Sequence, residues 1–389
     1  MKRNTLPVNF NGILLPAAGI DLYKWAVVAC DQFTGDPAYW DAVERLVGDA
    51  PGAYRLTFPE IYLESDNSAR IKAIHAAMNA YLRGGMFTEY RDCAVLTERR
   101  TPYHARRLGL LFSVDLEAYS WKPEDCAPIR ATEGTILERI PPRVEIRRGA
   151  PLEISHTMLL IDDPKRALIE TLYEKTKARP PVYDTDLNMN GGHITGWIVG
   201  DTAAISESLA ALVKEDGFLF AVGDGNHSLA AAKAYWEEIK GALSAQERGD
   251  HPARFALCEA VNIYDEGLAF EPIHRVVYDT DAEKFKAGLS RLKSGADAVE
   301  TIRGTQSFID EYIREHGGAA DYIHGERELA DAVKRAAARN PVPVPMPKIE
   351  KADFFRLLGK YGILPRKAFS MGEGVEKRYY LEARKIRRG

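Results

Sequence analysis

Hydrophobic positions along the chain fall into short runs broken by Gly, Pro, Asp and Asn, alternating with longer segments whose apolar residues recur at helical spacing. The sharpest case is Phe218-Leu-Phe-Ala-Val222, followed by Gly223-Asp-Gly225 and then, from Ser228, by an Ala- and Lys-rich stretch through Trp236. The run has the length of a buried strand, the glycines permit a tight turn, and the residues after it are strong helix formers, so the pattern predicts strand, turn, helix. Before it, Trp25–Cys30 reads as a strand ending at Asp31, and Asp36-Pro37 caps and starts a helix through about Leu46. Arg55–Leu63 reads as a further strand. Ser68–Leu82 reads as an amphipathic helix whose stripe of Ile71, Ile74, Met78 and Leu82 makes His75 a packing residue. Strands are expected at 93–96, 108–116, 157–161, 255–263 and 271–278, with a hairpin over 183–199 and helices at 164–175, 203–214, 282–292, 307–314 and 328–338. Pro341-Val-Pro-Val-Pro-Met-Pro347 reads as an extended connector, and a short strand follows near Tyr379.

This alternation predicts an α/β to α+β protein with mixed sheets and several lobes: residues 1–125, 126–278, and a mainly helical 279–389 that ends in strands. The 389 residues, 46% hydrophobic and 28% charged, suffice for more than one core. A net charge of −4 lacks the basic footprint of a nucleic-acid binder. No apolar run approaches a membrane span and the first residues lack a signal-peptide core, so a cytoplasmic location is expected. Cys30, Cys93, Cys126 and Cys258 form no Cys-x-x-Cys pair, and signal neither zinc nor a disulfide framework.

Candidate chemistry gathers in two stretches. At the turn, Asp224, Asn226, His227 and Ser228 surround a helix N-terminus, where unpaired N–H groups and the helix dipole favour an anion. Asp, Asn and Ser are also ordinary capping residues; a histidine in the first turn is not explained by capping. In 126–149, Thr135-x-x-Glu138 matches a capping box, leaving Glu133 just outside a short helix. After Pro141-Pro142 a second helix places Arg143 and Arg147 four apart with Arg148 alongside, which suits a solvated face and a phosphate cradle equally.

Glu133 within Ile129-Arg-Ala-Thr-Glu-Gly-Thr135, Asp224-Gly-Asn-His-Ser-Leu-Ala-Ala231, Glu271-Pro-Ile-His-Arg275 and Pro365-Arg-Lys-Ala-Phe-Ser370 together resemble the bacterial DUF1015 family over nearly the whole chain. Its Asp-Gly-x-His core is in turn similar to that of the ParB/sulfiredoxin-like fold, whose members include nucleotide-dependent partition proteins and free-serine kinases. The resemblance implies a ParB/sulfiredoxin-like core at 126–278, Glu133 as the base for a substrate hydroxyl, and Asp224 as a Mg²⁺ ligand. Two departures stand out: Ala131-Thr132-Glu133 replaces Pro-His-Glu, and Asn226-His227-Ser228 lacks the arginine common at this turn, so donor contacts pass to Arg143, Arg147 and Arg148.

The resulting expectation is a Mg²⁺-dependent phosphotransferase whose partners are small molecules, free L-serine and a phosphate donor. Asp224 and His227 act with Glu133; Asn226, Ser228 and the three arginines bind phosphate; Arg130, Thr132, Thr135, His274 and Arg275 bind the acceptor. The alternatives are a ParB-like nucleotide-binding switch and a phosphatase or nucleotide hydrolase. Neither a P-loop nor a kinase glycine loop is present, and no adenine slot is legible, which places pyrophosphate slightly ahead of ATP or ADP.

Overall fold

A computed structural model describes residues 6–63 and 66–388, the side chain of Arg327 excepted. The chain is a mixed α/β protein with several sheets, and its residues group into two compact units: 6–131, 135–267 and 373–388 in the larger, 132–134 and 268–372 in the smaller. Boundary 125 read from the sequence falls inside the larger unit and boundary 278 inside the smaller.

A ten-stranded sheet forms the middle of the larger unit. Its path runs Tyr183–Leu187, Gly192–Val199, Ala94–Arg100, Arg107–Asp115, Phe255–Asn262, Met158–Ile161, Phe220–Asp224, Ile129–Ala131 and Tyr119–Ser120, with Val8–Asn9 added on Arg107–Asp115. Neighbours pair antiparallel except at Met158–Ile161 with Phe255–Asn262, and at Ile129–Ala131 with both of its neighbours. Both faces are apolar, and successive residues serve opposite cores: Leu96, Leu110 and Phe112 pack with helices Thr202–Leu212 and Asn226–Lys240, whereas Val95 and Leu111 pack with Pro37–Val47 and Ser68–Arg83. That two-sided burial explains why these strands read as continuous hydrophobic runs.

On the second face the C-terminal stretch completes the larger unit. Ala383–Lys385 lies between Ile13–Pro16 and Leu152–Ile154, and Tyr379–Tyr380 pairs with Val27–Val28. Trp25–Cys30 is therefore only partly a strand: Leu22–Trp25 is a helical turn and Val27–Val28 the paired portion. Arg55–Leu63 is not a strand. It forms two 3₁₀ turns, Ala53–Arg55 and Glu60–Tyr62, because Pro59 between them brings no N–H to a ladder.

The smaller unit has its own sheet, Ala319–His324, Phe270–Tyr278 and Val342–Val344, with Phe369–Met371 also on Phe270–Tyr278, and helices Ala282–Leu289, Ala298–His316, Gly325–Arg335 and Lys351–Tyr361. The proline-rich connector thus contains a strand. Pro343 is accommodated because Val342–Val344 is an edge, where a missing donor interrupts no second ladder. Among the described residues no helix is long and apolar enough to cross a membrane.

Candidate functional site

The strand, turn and helix anticipated at 218–236 are present as Phe220–Asp224 and Asn226–Lys240, and the turn's shape is fixed by Gly225. Gly225 has φ +77°, and a Cβ there would stand 2.9 Å from Thr157 Cα, so both conformation and space demand glycine. It also occupies the cap position, with no side-chain cap bond. Asp224 therefore does not cap the helix: its Oδ1 accepts the Gly225 N–H at 2.9 Å, and its Oδ2 lies 3.3 Å from Lys377 Nζ.

His156, just before strand Met158–Ile161, faces the same turn. Its Nε2 lies 3.4 Å from Ser228 Oγ and 3.6 Å from Asp31 Oδ2, and its Nδ1 is 2.8 Å from the Tyr380 hydroxyl, which accepts the Cys30 N–H at 3.1 Å. His156 is only 4% exposed. Burial opposes its charge, yet the Asp31 carboxylate and its hydrogen bond outweigh that, with Asp224 and Glu60 adding, so its pKa is raised. Conversely burial raises Asp31, but His156, Gln32 and Lys377 hold it below the ordinary carboxylate range. Burial, then the Asp31 charge, pushes the Cys30 thiol up to about 12, which removes it as a nucleophile at neutral pH.

The remaining expected residues divide between the two units. In the larger, Asn226 Oδ1 and Thr135 Oγ1 are buried with no hydrogen-bond partner, and His227 Nε2 accepts the Ile136 N–H at 3.2 Å, fixing that nitrogen as unprotonated. The capping box at Thr135 and Glu138 does not form; the segment begins with a 3₁₀ turn, Leu137–Arg139, that has no side-chain cap, before helix Ile140–Arg147. Arg143 pairs with Glu60, Arg147 with buried Glu153, and Arg148 with exposed Glu238 at 3.0 Å. Arg130 pairs with Asp216 at 2.7 Å and stacks over the Phe218 ring.

In the smaller unit, the Thr132 carbonyl accepts the Leu364 N–H at 2.8 Å, and Glu133 bridges to Leu364. His274 Nδ1 accepts the Met346 N–H at 3.0 Å, while Arg275 donates to Gln306 at 2.7 Å and lies over Tyr322. Both side chains are buried, with His274 Nε2 and one Arg275 Nη unpartnered; burial lowers the His274 pKa.

Asp31, His156, Lys377 and Tyr380 went unassigned in the sequence reading. Of these, His156 and Tyr380 line a cavity of about 140 Å³ walled by Phe58, Met78, Ile146, Leu152, Leu229 and Ala232, with Ser228 also in its lining and the Arg143–Glu60 pair bordering it. The Mg²⁺ implied by the resemblance calls for one or two carboxylates beside substrate oxygens and water, and at the turn Asp224 is the carboxylate proposed for it. Among the described residues no three His, Cys, Asp or Glu side chains converge, and Asp224 already faces an ammonium on one oxygen and an N–H on the other.

The family model described as "Protein of unknown function (DUF1015)" matches residues 9–374. The chain belongs to the DUF1015 family. No curated protein matches this DUF1015 member. Among solved structures it is similar to a conserved hypothetical protein from Pyrococcus furiosus, at TM-score 0.33 and 11% identity over 71% of this chain and 95% of that one. A free serine kinase mutant in complex with ADP gives TM-score 0.36 and 9% identity, and a free serine kinase in complex with AMP gives 0.35 and 11%; each covers 71% of this chain and 92% of the other.

Proposed function

We propose that this DUF1015 protein transfers a phosphoryl group to a small hydroxyl acceptor, with free L-serine the first acceptor to test, and that residues around the Asp224 turn belong to a ParB/sulfiredoxin-like core. The observation that carries the reading is the meeting, at one helix N-terminus, of two carboxylate–cation pairs, Asp31 with His156 and Asp224 with Lys377, beside Ser228 and the unpartnered Asn226 oxygen. Phosphoryl transfer needs positioning and charge compensation more than covalent chemistry, and such a cluster offers both.

In this reading the helix N–H groups, Ser228 and His156 hold the transferring phosphate. The acceptor oxygen forms a bond to the terminal phosphorus, the bond to the leaving phosphate breaks with its electron pair going to that group, and the hydroxyl proton passes to a base. Glu133 is the base that the family resemblance implies. Of the three arginines, Arg148 exchanges its exposed Glu238 partner for phosphate at least cost, whereas Arg147 would have to leave a buried carboxylate. The apolar cavity beside the turn is where we place an adenine ring in this reading, and it favours a nucleotide donor over pyrophosphate.

The test is incubation of the protein with serine and, separately, ATP, ADP or pyrophosphate, each with and without Mg²⁺, followed by mass spectrometry for O-phosphoserine. Phosphate release without phosphoserine marks a hydrolase. Binding without turnover marks a nucleotide-gated switch.

A further inference from the structure

Three consecutive carbonyls of the C-terminal stretch are held by buried arginines. Arg99 donates to Val375 O at 2.9 Å and to Lys377 O at 3.3 Å, and Arg107 donates to Glu376 O at 3.1 Å. The next residue, Arg378, is itself buried, lying 3.0 Å from Glu259, pairing with Glu382 and donating to Ser155 O at 3.1 Å. Removing three guanidinium groups from water is costly, and here all three fix the backbone of one short segment. What that segment presents toward the Asp224 turn is the Lys377 side chain, 18% exposed and therefore within reach of a solute. Its charge is felt at Asp31 as well as at Asp224.

We propose that the Lys377 ammonium is the cation that receives the diphosphate oxygens of a ligand at this site, giving up its contact with Asp224 as they arrive. The proposal rests on the phosphoryl-transfer reading for its ligand class and on the anchored segment for its residue. An ammonium brings three donors on a flexible stem and suits phosphate as a point charge. The Asp224–Lys377 pair keeps some contact with solvent, and a diphosphate offers the ammonium more negative charge than the single carboxylate it replaces. Anchoring the backbone on both sides of Lys377 means that only the side chain has to move, which keeps the ordering cost of binding low. The chain thus carries its own positive charge at the turn, on the Lys377 side chain.

The experiment is titration calorimetry of the full chain with pyrophosphate and with ADP in excess EDTA. The expected result is binding without a divalent ion, a Kd raised at least ten-fold in Lys377→Met, and partial recovery in Lys377→Arg. Asp224→Asn, which removes the competing carboxylate, is expected to keep or tighten that binding. Lys377→Gln, judged folded by circular dichroism, replaces the Met variant if the latter unfolds. An unchanged Kd in the folded neutral variant, or no binding of either ligand in EDTA, overturns the proposal. Phosphoserine formation is scored separately. Lys377-dependent binding without it sinks the phosphotransfer reading alone, and turnover with lysine-independent binding sinks the lysine alone.

Discussion

The Tyr380 hydroxyl stands 2.8 Å from His156 Nδ1 and accepts the Cys30 N–H at 3.1 Å, so a single phenol ties the C-terminal strand to the imidazole and to the residue preceding Asp31. When His156 is protonated, Nδ1–H donates to that oxygen and Nε2 is left for Asp31 and Ser228. Burial pushes Tyr380 well above the ordinary phenol range, so it remains a neutral partner through the physiological window.

His156 should therefore impose a pH dependence on stability. Its folded pKa lies above the ordinary 6.5, so its contribution is complete below that value and is lost as pH rises through the folded pKa. Asp31 works in the other direction: its pKa is depressed, and its contribution is lost as pH falls below the ordinary 3.8. His156→Gln should cost about 2 kcal/mol near pH 6, less than a fully buried pair because Asp31 is partly exposed, and the gap to wild type should narrow as pH rises above the ordinary imidazole range. Urea midpoints of both proteins across that range check it; a gap that stays constant contradicts the pairing.

Gly225→Ala should lower stability by about 2–4 kcal/mol, from a left-handed backbone forced on alanine and from collision with the Thr157 backbone. Thermal unfolding measures the loss. Gly241 stands at the far end of the same helix, where an added methyl group would meet open space, and Gly241→Ala is the matched comparison expected to change little.

Arg147→Ala separates a structural arginine from a phosphate ligand. Glu153 is buried and held below its ordinary range, against the desolvation that raises it, by Arg147 and Arg384 together with the Leu257 N–H. Losing one of two cations should cost about 2–3 kcal/mol of stability. If Arg147 serves only Glu153, donor KM in the folded variant stays near wild type, whereas Arg148→Ala raises donor KM with little effect on the unfolding midpoint.

Glu133→Gln should lower kcat at least about 100-fold with little change in donor binding if Glu133 removes the acceptor proton. Single-turnover phosphoserine formation reads the first quantity and calorimetry the second. A kcat near that of wild type removes Glu133 from the role.

Local elements were legible where one face of a helix or one buried run decided them. Helices Pro37–Val47, Ser68–Arg83 and Ile140–Arg147 and the hairpin Tyr183–Val199 lie close to where spacing and turn residues put them. Val342–Val344 was hidden because an edge strand tolerates the proline that would forbid a central one. The turn at 223–228 was readable as polar chemistry at a helix start, but its partners were not. Asp31, His156 and Lys377 come from separate stretches joined by strand pairing, and no local pattern marks an isolated His or Lys as facing a particular carboxylate. The cavity was hidden for the same reason: its walls are ordinary apolar residues whose convergence depends on tertiary packing.

The larger unit is discontinuous, closing only when residues 373–388 return to it after the whole of 268–372. During synthesis a ribosome emits strands Ile13–Pro16 and Leu152–Ile154 long before Ala383–Lys385, the strand that lies between them, and Val27–Val28 waits as long for Tyr379–Tyr380. A nascent chain stalled anywhere before Lys377 holds Asp224 without its ammonium and carries open strand edges, a state exposed to chaperones and proteases. Maturation of the site thereby waits until residues 373–388 have been made, and a premature stop codon anywhere within 268–372 would leave it unfinished.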